Sequence, residues 1–236
     1  MDIYWLILGA GYVLSLVVQN RLRATQHKWG AIRNSANMTG AAAAREILST
    51  NDMRQVAVLP VQGALTDHYD PRDKSLHLSE TVFDVPSVAA LAVAAHETGH
   101  AIQDKVGYWP LALRSTAAPL VNAAARFGIP AAILGMFLGL PILIQLGIIG
   151  YVGALAFQFL TLPVEFDASK RALAQLNQLH LLNEEEEKGA RSMLRAAAMT
   201  YVAGSASSAV YILYLVLLGG RSILKKPPPV SPPRLP

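Results

Sequence analysis

Long apolar segments limit how this chain can fold more than any other feature of its sequence. From Pro119 to Val164 the only charged residue is Arg126, and Gly139, Leu140 and Pro141 stand near the middle of the stretch. One membrane-spanning helix needs about 20 apolar residues, so the stretch is about twice as long as one helix requires. A glycine and a proline so close together favour a turn. The pattern therefore predicts a helical hairpin that crosses a membrane twice.

Two more apolar runs lie near the ends of the chain. The first, Ile3 to Val18, lacks the basic start and the small-residue cleavage site of a signal peptide, and it is predicted to remain as an anchor. The second, Tyr201 to Leu218, is long enough for a fourth span. Only 15% of the residues are charged, against about 25% in soluble domains. The expected fold class is a mainly α-helical membrane protein with about four transmembrane helices.

The positive charges indicate how the chain lies in the membrane. Ten Lys and Arg residues fall within 19–115 and five within 164–200, whereas the N-terminus and the hairpin tip have none. Lys and Arg next to membrane spans stay on the cytoplasmic side, so both polar segments are predicted to be cytoplasmic parts of a multi-pass cell-membrane protein. Four spans would put the basic C-terminal tail outside the cell. Either the fourth run does not fully cross the membrane, or the cytoplasmic preference of Lys and Arg does not hold for this tail. The charges form no basic stripe interleaved with aromatic residues, and no nucleic-acid partner is expected.

One pentapeptide in the first polar segment carries a metal-binding pattern, HExxH, at residues 96–100. Ser87 is a candidate N-cap for an alanine-rich helix through it. On a helix, residues i and i+4 share one face, so the imidazoles of His96 and His100 can bind one metal ion. The chain has no cysteine, so zinc would take only nitrogen and oxygen ligands. Zinc lowers the pKa of a bound water to about 7, and Glu97 can accept the proton of that water as general base.

Two histidines leave a zinc ion under-coordinated, because catalytic sites commonly use three protein ligands and a water. A metzincin would have glycine and histidine soon after His100, but the sequence continues Ala101-Ile102-Gln103, so that class is excluded. Glu165 is the predicted third ligand, because it follows the apolar hairpin and two crossings would return it to the side of the pentapeptide. His68 and His77 are the alternatives.

Three blocks of the sequence resemble the YugP-type bacterial zinc-dependent membrane peptidases. That family is identified as a member of the broader gluzincin group, which also holds the HtpX-type and prenyl-protein membrane proteases. The blocks are Thr66-Asp67-His68-Tyr69-Asp70-Pro71 with Leu78-Ser79-Glu80, then His96 to Gln103, then Pro163-Val164-Glu165-Phe166-Asp167-Ala168-Ser169. The resemblance implies a zinc metalloendopeptidase with one catalytic Zn²⁺, with His96, His100 and Glu165 as ligands and Glu97 as catalytic base.

The resemblance also suggests which residues could support the metal ligands or the oxyanion. The HtpX-like relatives have an aspartate four residues after the glutamate, whereas Ser169 occupies that position here. Asp167 is the alternative residue to support a ligand, although it lies on a different face of a helix from Glu165. By residue type, His68, Tyr69 and Arg171 are candidates for stabilising the oxyanion.

These patterns predict a zincin-like catalytic domain with a small β-hairpin or sheet at the membrane surface. Val56 to Val61 is a predicted strand, and Ser75 to Ser79 a predicted hairpin or edge strand that could pair with an extended substrate. The third polar segment is predicted to be a helix with Pro163 in its first turn. The expected segments are an anchor at 1–20, a cytoplasmic catalytic segment at 21–115, a transmembrane hairpin at 116–163, a cytoplasmic helical segment at 164–200, a transmembrane helix at 201–220 and a proline-rich disordered tail at 221–236.

The expected partners are a protein or peptide substrate associated with the membrane, and the lipid bilayer itself. A partner membrane protein or a second copy of the chain is a further expectation, based on small residues on the apolar helices. Two alternatives to an autonomous peptidase stay open at the level of sequence. One is a membrane scaffold or adaptor that keeps a structural or vestigial zinc site, and the other is a peptidase active only with a partner membrane protein.

Overall fold

A computed structural model describes residues 3–224, except for the side chains of 3–8, 125, 129, 136, 151 and 211–224. The predicted proline-rich tail lies outside this range from residue 225 onwards. Within the range the chain is mainly helical, with one small sheet. The elements are α1 (Ile3–Gly30), α2 (Gly40–Thr50), β1 (Ala57–Val61), β2 (His68–Asp70), β3 (Ser75–Ser79), α3 (Val88–Lys105), α4 (Trp109–Leu138), α5 (Pro141–Gln178) and α6 (Glu184–Leu224).

Helices α4 and α5 form the hairpin that the central apolar stretch predicts. Gly139 ends α4 in the left-handed conformation with φ of 64°, and Pro141 opens α5, where its missing N–H costs no helical hydrogen bond. The two helices touch at Gly128 and Gly147, where a Cβ on Gly147 would lie 2.5 Å from the carbonyl oxygen of Gly128. Among the described residues, Trp109–Gly135 and Pro141–Gln178 are the helical stretches long and apolar enough to cross a membrane.

Helices α1 and α6 form a second antiparallel pair. The hydroxyl of Ser207 donates to the carbonyl of Gly11 at 2.9 Å, and Ser15 Oγ lies 3.1 Å from Ser207 Oγ. At the other end of the pair, the ring of Trp29 covers Gly189 so closely that a Cβ there would overlap it. Helix α1 contains the predicted span near the N-terminus, and α6 contains the one near the C-terminus. Both spans include residues whose side chains the structure does not describe. The number of four membrane crossings therefore stays a prediction.

The three-stranded sheet has the order β1-β3-β2, with β1 parallel and β2 antiparallel to β3. The prediction of a hairpin is confirmed, because β2 and β3 are joined by the turn at 71–74. The prediction of an edge strand at Ser75–Ser79 is wrong. β3 has a neighbour on both sides, because β1 pairs with it along Ala57–Val61. Its backbone is paired with β1 along its whole length and with β2 along Ser75–His77, so it offers no free edge to a substrate strand there.

The helices that carry polar segments pack with the sheet around one core. This core includes Ile47 of α2, Leu76 of β3, Leu91 of α3, Leu176 of α5 and Met193 of α6, all almost fully buried. The predicted helix start at Pro163 is wrong, because Pro163 lies inside α5. Helices α1, α5 and α6 run unbroken past residues 20, 163 and 200, respectively. The predicted apolar spans and the hydrophobic core thus share continuous helices.

Candidate metal centre

Helix α3 positions the two histidines and the glutamate of the HExxH pattern. Its N-cap is Ser87, whose hydroxyl accepts a hydrogen bond from the backbone N–H of Ala90 at 3.1 Å, as the sequence predicts. The alanine-rich turns before His96 are buried almost completely, which fixes the helix against the core. Glu97 is also buried, with 8% of its surface exposed, on the helix that carries both imidazoles.

A glycine in the pattern lets α3 approach α5. A Cβ on Gly99 would lie 2.6 Å from the backbone oxygen of Ala168, a distance shorter than any side chain tolerates. Because this contact involves the backbone of α5, no rotamer change could relieve it. The close crossing brings Glu165, one helical turn before Ala168, over the face of α3 that carries the imidazoles.

The structure brings the three predicted ligands together. The Nε2 atom of His96 lies 3.1 Å from Glu165 Oε2, and His100 Nε2 lies 3.8 Å from the same oxygen. Two donors of a tetrahedral zinc, each about 2.1 Å from the metal, are about 3.4 Å apart, and the observed distances bracket that value. Among the described residues, this is the group of three or more His, Cys, Asp or Glu side chains that could hold a metal ion. The donor set of two nitrogens and one oxygen suits zinc.

A hydrogen-bonded chain supports the second histidine. His100 Nδ1 lies 3.0 Å from Gln103 Oε1, which leaves Nε2 directed at Glu165. The amide nitrogen of Gln103 donates to the backbone oxygen of Val164 and to Asp167 Oδ2, both at 2.8 Å. Arg171 Nε donates to the same carboxylate of Asp167 at 2.6 Å. Asp167 therefore supports the metal centre through Gln103, although its side chain is on a different face of α5 from Glu165.

The first histidine has its own supporting contact. Ser169 Oγ lies 3.2 Å from His96 Nδ1. The residue stands where the HtpX-like relatives have aspartate, and its shorter, uncharged side chain makes a weaker hydrogen bond to an imidazole than a carboxylate would. From the sequence, Ser169 and Asp167 are alternatives for supporting a ligand. In the structure, Ser169 contacts His96 directly and Asp167 supports His100 through Gln103.

Arg114 is a site residue that sequence reasoning did not identify. Its guanidinium donates to Glu165 Oε1 at 2.6 Å, while Oε2 of the same carboxylate faces the two histidines. This bond fixes the orientation of Glu165 and leaves one oxygen for a metal. Arg114 belongs to the first turns of α4, far from the pentapeptide in sequence. The sequence feature that could have identified Arg114 as a site residue is its charge at the start of an otherwise almost uncharged helix.

The protonation states of the α3 residues reflect their burial. Burial lowers the pKa of His100 to about 4, so this imidazole is neutral at pH 7 and its lone pair is available to a metal. Burial alone would lower the pKa of His96, but the hydrogen bond to Glu165 and the charge of Glu97 leave it raised overall. Burial raises the pKa of Glu97 to about 7, which matches a group that exchanges protons near neutral pH.

The three ligands and Glu97 open into a cavity of about 450 Å³. Of the predicted oxyanion candidates, His68 and Tyr69 line the cavity, whereas Arg171 does not. The hydroxyl of Tyr69 already donates to Asp104 Oδ2 at 2.6 Å. Tyr201 of α6 also lines the cavity and was missed, since a tyrosine at the start of an apolar run is typical of membrane helices. The cavity thus draws residues from β2, α3, α4, α5 and α6.

The other predicted histidine ligand lies apart from this group. His77 Nε2 is 2.8 Å from Ser75 Oγ, and its ring stacks on that of His68 with centroids 4.6 Å apart. Neither ring belongs to the group that could hold a metal ion. Their stacking instead links β3 to the edge strand β2, next to the cavity.

Comparisons with known proteins agree with the chemistry of this site. A family model described as "Putative neutral zinc metallopeptidase" matches residues 4–219. The chain is 43% identical over 190 residues to "Putative membrane protease YugP" of Bacillus subtilis (strain 168), a match that covers 80% of this chain and 84% of that protein. No solved structure matches the chain. The resemblance drawn from the three sequence blocks is confirmed.

Proposed function

The chain belongs to the zinc metallopeptidase family that matches nearly its whole length, and on this premise we propose that it is a zinc-dependent membrane endopeptidase. His96, His100 and Glu165 hold one catalytic Zn²⁺, and Glu97 is the general base. The observation that carries this proposal is the convergence of the three donor atoms within 4.8 Å of one another, beside a buried glutamate on the same helix as the histidines.

The proposed reaction is hydrolysis of a peptide bond. Zn²⁺ held by these ligands would activate a water molecule and polarise the scissile carbonyl. Glu97 takes the proton of the attacking water and delivers it to the leaving amine, and burial, which raises the pKa of this carboxyl, helps it to hold the proton between the two transfers. Gln103 and Ser169 hold the imidazoles in place, and Arg114 holds Glu165.

The oxygen of the scissile carbonyl gains negative charge during the reaction and needs a hydrogen-bond donor. We assign this role to His68 and Tyr201, which face the cavity from β2 and α6. The Nδ1–H of His68 donates to the backbone oxygen of Thr66 at 2.8 Å, so its Nε2 atom can donate to the oxyanion only in the imidazolium form, whereas the hydroxyl of Tyr201 can donate in its neutral form. Tyr69 is less suitable, because its hydroxyl proton is already given to Asp104.

The proposed substrate is a protein or peptide held at the membrane. Two observations support it: α4 and α5 are long, apolar and largely exposed, and the cavity is lined by residues of α4 as far along as Asn122. The edge of the sheet next to the cavity belongs to β2, and this edge replaces β3 as the proposed site for an extended substrate. A partner membrane protein or a second copy of the chain remains part of the proposal.

The proposed topology places the active site on the cytoplasmic face of the cell membrane. The antiparallel α4–α5 hairpin returns the chain to the side from which it entered, so that α3 and Glu165 share one side. The excess of Lys and Arg in 19–115 and 164–200 supports the cytoplasmic assignment. The proposed topology also has α1 cross the membrane once, whereas the fourth run, in α6, either does not fully cross or is an exception to the charge rule.

The scaffold alternative is not favoured by the site. A structural zinc site needs no general base, yet Glu97 is buried next to the ligands, where an unused carboxyl would carry a desolvation cost. A scaffold would bind zinc and fail to hydrolyse any substrate, in the presence or absence of Glu97.

The test compares purified wild-type protein with Glu97→Gln and Glu165→Ala. Zinc content is measured by elemental analysis, and cleavage by hydrolysis of a casein-type substrate and of a membrane protein. Glu97→Gln should keep zinc and lose cleavage by about 10² to 10⁴-fold, because only proton transfer is removed. Glu165→Ala should lose both zinc and cleavage. Glu46→Gln and Glu46→Ala, on the exposed face of α2, are the matched controls.

Each outcome has a distinct meaning. Hydrolysis that survives in Glu97→Gln would refute the proposed base, and full zinc occupancy in Glu165→Ala would refute the third ligand. Zinc-loaded wild-type protein that cleaves neither substrate would favour the scaffold. Activity that appears only after a membrane extract is added would favour the partner-dependent peptidase.

A further inference from the structure

A basic groove lies between α1 and α6, and it shares no lining residue with the cavity of the metal centre. This α1–α6 groove has a volume of about 360 Å³ and is lined by Arg21 of α1 and by Lys188, Arg191, Arg195, Ala196 and Met199 of α6, among others. The α6 residues recur three and four positions apart, so they occupy one face of the helix. Four basic side chains from two helices therefore surround one small space.

The register of the two helices fixes the level of the groove. Gly11 meets Ser207 at one end of the antiparallel pair, and Trp29 meets Gly189 at the other. In that register Arg21 falls between Arg195 and Met199. The charges of the groove are therefore close to the end of the apolar part of both helices.

Exposed apolar side chains on α1 mark the end of the groove that continues onto apolar surface. On α1, Tyr12, Val13 and Val17 are 67%, 56% and 58% exposed, only a few residues before Arg21. Large apolar side chains exposed this far at neighbouring positions are suited to contact with lipid tails. Within the groove, Met199 is on this apolar side and Lys188 is at the opposite end, because it lies eleven residues earlier on α6.

The charges of the groove are unevenly neutralised. Lys188 pairs with Glu185 at 3.4 Å, and Arg191 pairs with Glu187 at 2.7 Å. Arg21 and Arg195, which lie nearer the apolar side, form no ion pair with any of the side chains that the structure describes. Two guanidinium groups on facing helices suit a phosphate group, because each presents several donors in a planar fork.

We propose that the α1–α6 groove binds the phosphate headgroup of an anionic glycerophospholipid. The guanidinium groups of Arg21 and Arg195 contact the phosphate, and an acyl chain extends past Met199 along the exposed apolar surface of α1. A lipid is favoured over a free phosphate ion, because one end of the groove is polar and basic while the other continues onto apolar surface. The site is independent of peptide hydrolysis.

The test is a titration of the purified full-length protein with dioctanoyl phosphatidylglycerol, followed by native mass spectrometry. Arg21→Gln/Arg195→Gln should bind about 30-fold more weakly than wild type, since each basic residue contributes about 1 kcal/mol to attraction of an anionic lipid. Arg23→Gln/Lys170→Gln is the matched control, because it removes the same charge from α1 and α5 outside the groove. The control should bind as wild type does, and Arg21→Lys/Arg195→Lys should recover part of the affinity.

Three further results would overturn the proposal. Equal weakening in the control would mean that net charge, not the groove, attracts the lipid. Dioctanoyl phosphatidylcholine bound as tightly as phosphatidylglycerol would mean that the anionic charge is not recognised. Glycerol 3-phosphate bound as tightly as the lipid would mean a site for free phosphate esters.

One measurement needs no variant, so it decides the question even if a double variant misfolds. Raising the salt concentration from about 0.1 M to about 1 M shortens the screening length from about 10 Å to about 3 Å. Binding of phosphatidylglycerol to the wild-type protein should weaken steeply over that range. Binding that is insensitive to salt would refute contact between the two arginines and the phosphate.

Discussion

Helix α5 makes two close contacts that depend on glycine, and the two contacts have different roles. Near its start, Gly147 meets the backbone of Gly128 on α4, and near its other end Ala168 meets Gly99 on α3. An added Cβ would lie 2.5 Å from a backbone oxygen at Gly147 and 2.6 Å at Gly99. By backbone geometry alone, the two crossings are almost equally tight.

The surroundings of the two contacts differ in polarity and exposure. Around the first, Phe127 and Ile149 are 63% and 67% exposed, as expected of side chains that face lipid. Around the second, Glu165 and Gln103 are buried and hydrogen-bonded to the histidines. The same packing device is therefore structural in the hairpin and positions ligands in the core. Zinc affinity, measured in matched variants, separates the two roles.

The largest effect on zinc affinity is expected for Gly99→Ala. The new Cβ would push α3 away from α5 and withdraw Glu165 from the histidines, and a loss of about 100-fold in zinc affinity corresponds to the upper range of overpacking costs. Alanine favours helix more than glycine, so weaker helix formation cannot explain a loss. The measurement is competition with a zinc chelator of known affinity. Gly204→Ala, with no atom within 4 Å, is the control, and wild-type affinity in Gly99→Ala would contradict the positioning role.

Gln103→Leu should reduce zinc affinity by about 10 to 100-fold, the usual effect of removing the hydrogen-bond partner of a metal-binding histidine. The change leaves His100 free to rotate and removes one donor to Asp167. The same chelator competition applies, with Gln178→Leu at the exposed end of α5 as control. If Gln103→Leu bound zinc as tightly as the control does, the hydrogen bonds that link Asp167, Gln103 and His100 would have no role in metal binding.

A smaller effect, about fivefold, is expected for Ser169→Ala. Its hydroxyl makes one hydrogen bond to His96 at 3.2 Å, and a single neutral hydrogen bond contributes about 1 kcal/mol. Ser169→Asp should increase zinc affinity above wild type, because a carboxylate makes a stronger bond to an imidazole N–H. Calorimetric titration with zinc would measure both. A drop in affinity for Ser169→Asp would show that the position has no room for the carboxylate of the relatives.

The smallest effect on zinc is expected for Gly147→Ala, which should leave the affinity unchanged. Its Cβ would overlap Gly128 and Ala132, so the hairpin itself should lose about 1–3 kcal/mol of stability. Thermal unfolding in detergent, monitored at the hairpin, measures that loss, and Gly153→Ala, with no atom within 4 Å, is the control. Zinc affinity that fell with Gly147→Ala would show that the two contacts on α5 are coupled.

Local patterns in the sequence predicted the elements whose structure depends on neighbouring residues. The cap at Ser87 is confirmed, because a serine hydroxyl can reach a backbone N–H three residues later in any helix start. The strand near Val56 and the turn at Gly139 and Pro141 are also confirmed. The central position of β3 was not predicted, since the pairing of β1 with β3 joins strands separated by a long connection.

The sequence by itself determined the residue types available to the candidate site. The spacing of His96 and His100, the absence of cysteine and the long apolar hairpin all follow from residue type and order. Only the tertiary structure decided how the site is completed, with Arg114 on Glu165, Gln103 between His100 and Asp167, and Tyr201 at the cavity. The physical reason is the separation in sequence between the residues that must meet. Residues on one helix have separations fixed by 3.6 residues per turn, whereas residues on different helices meet only where packing, such as the contact at Gly99, allows.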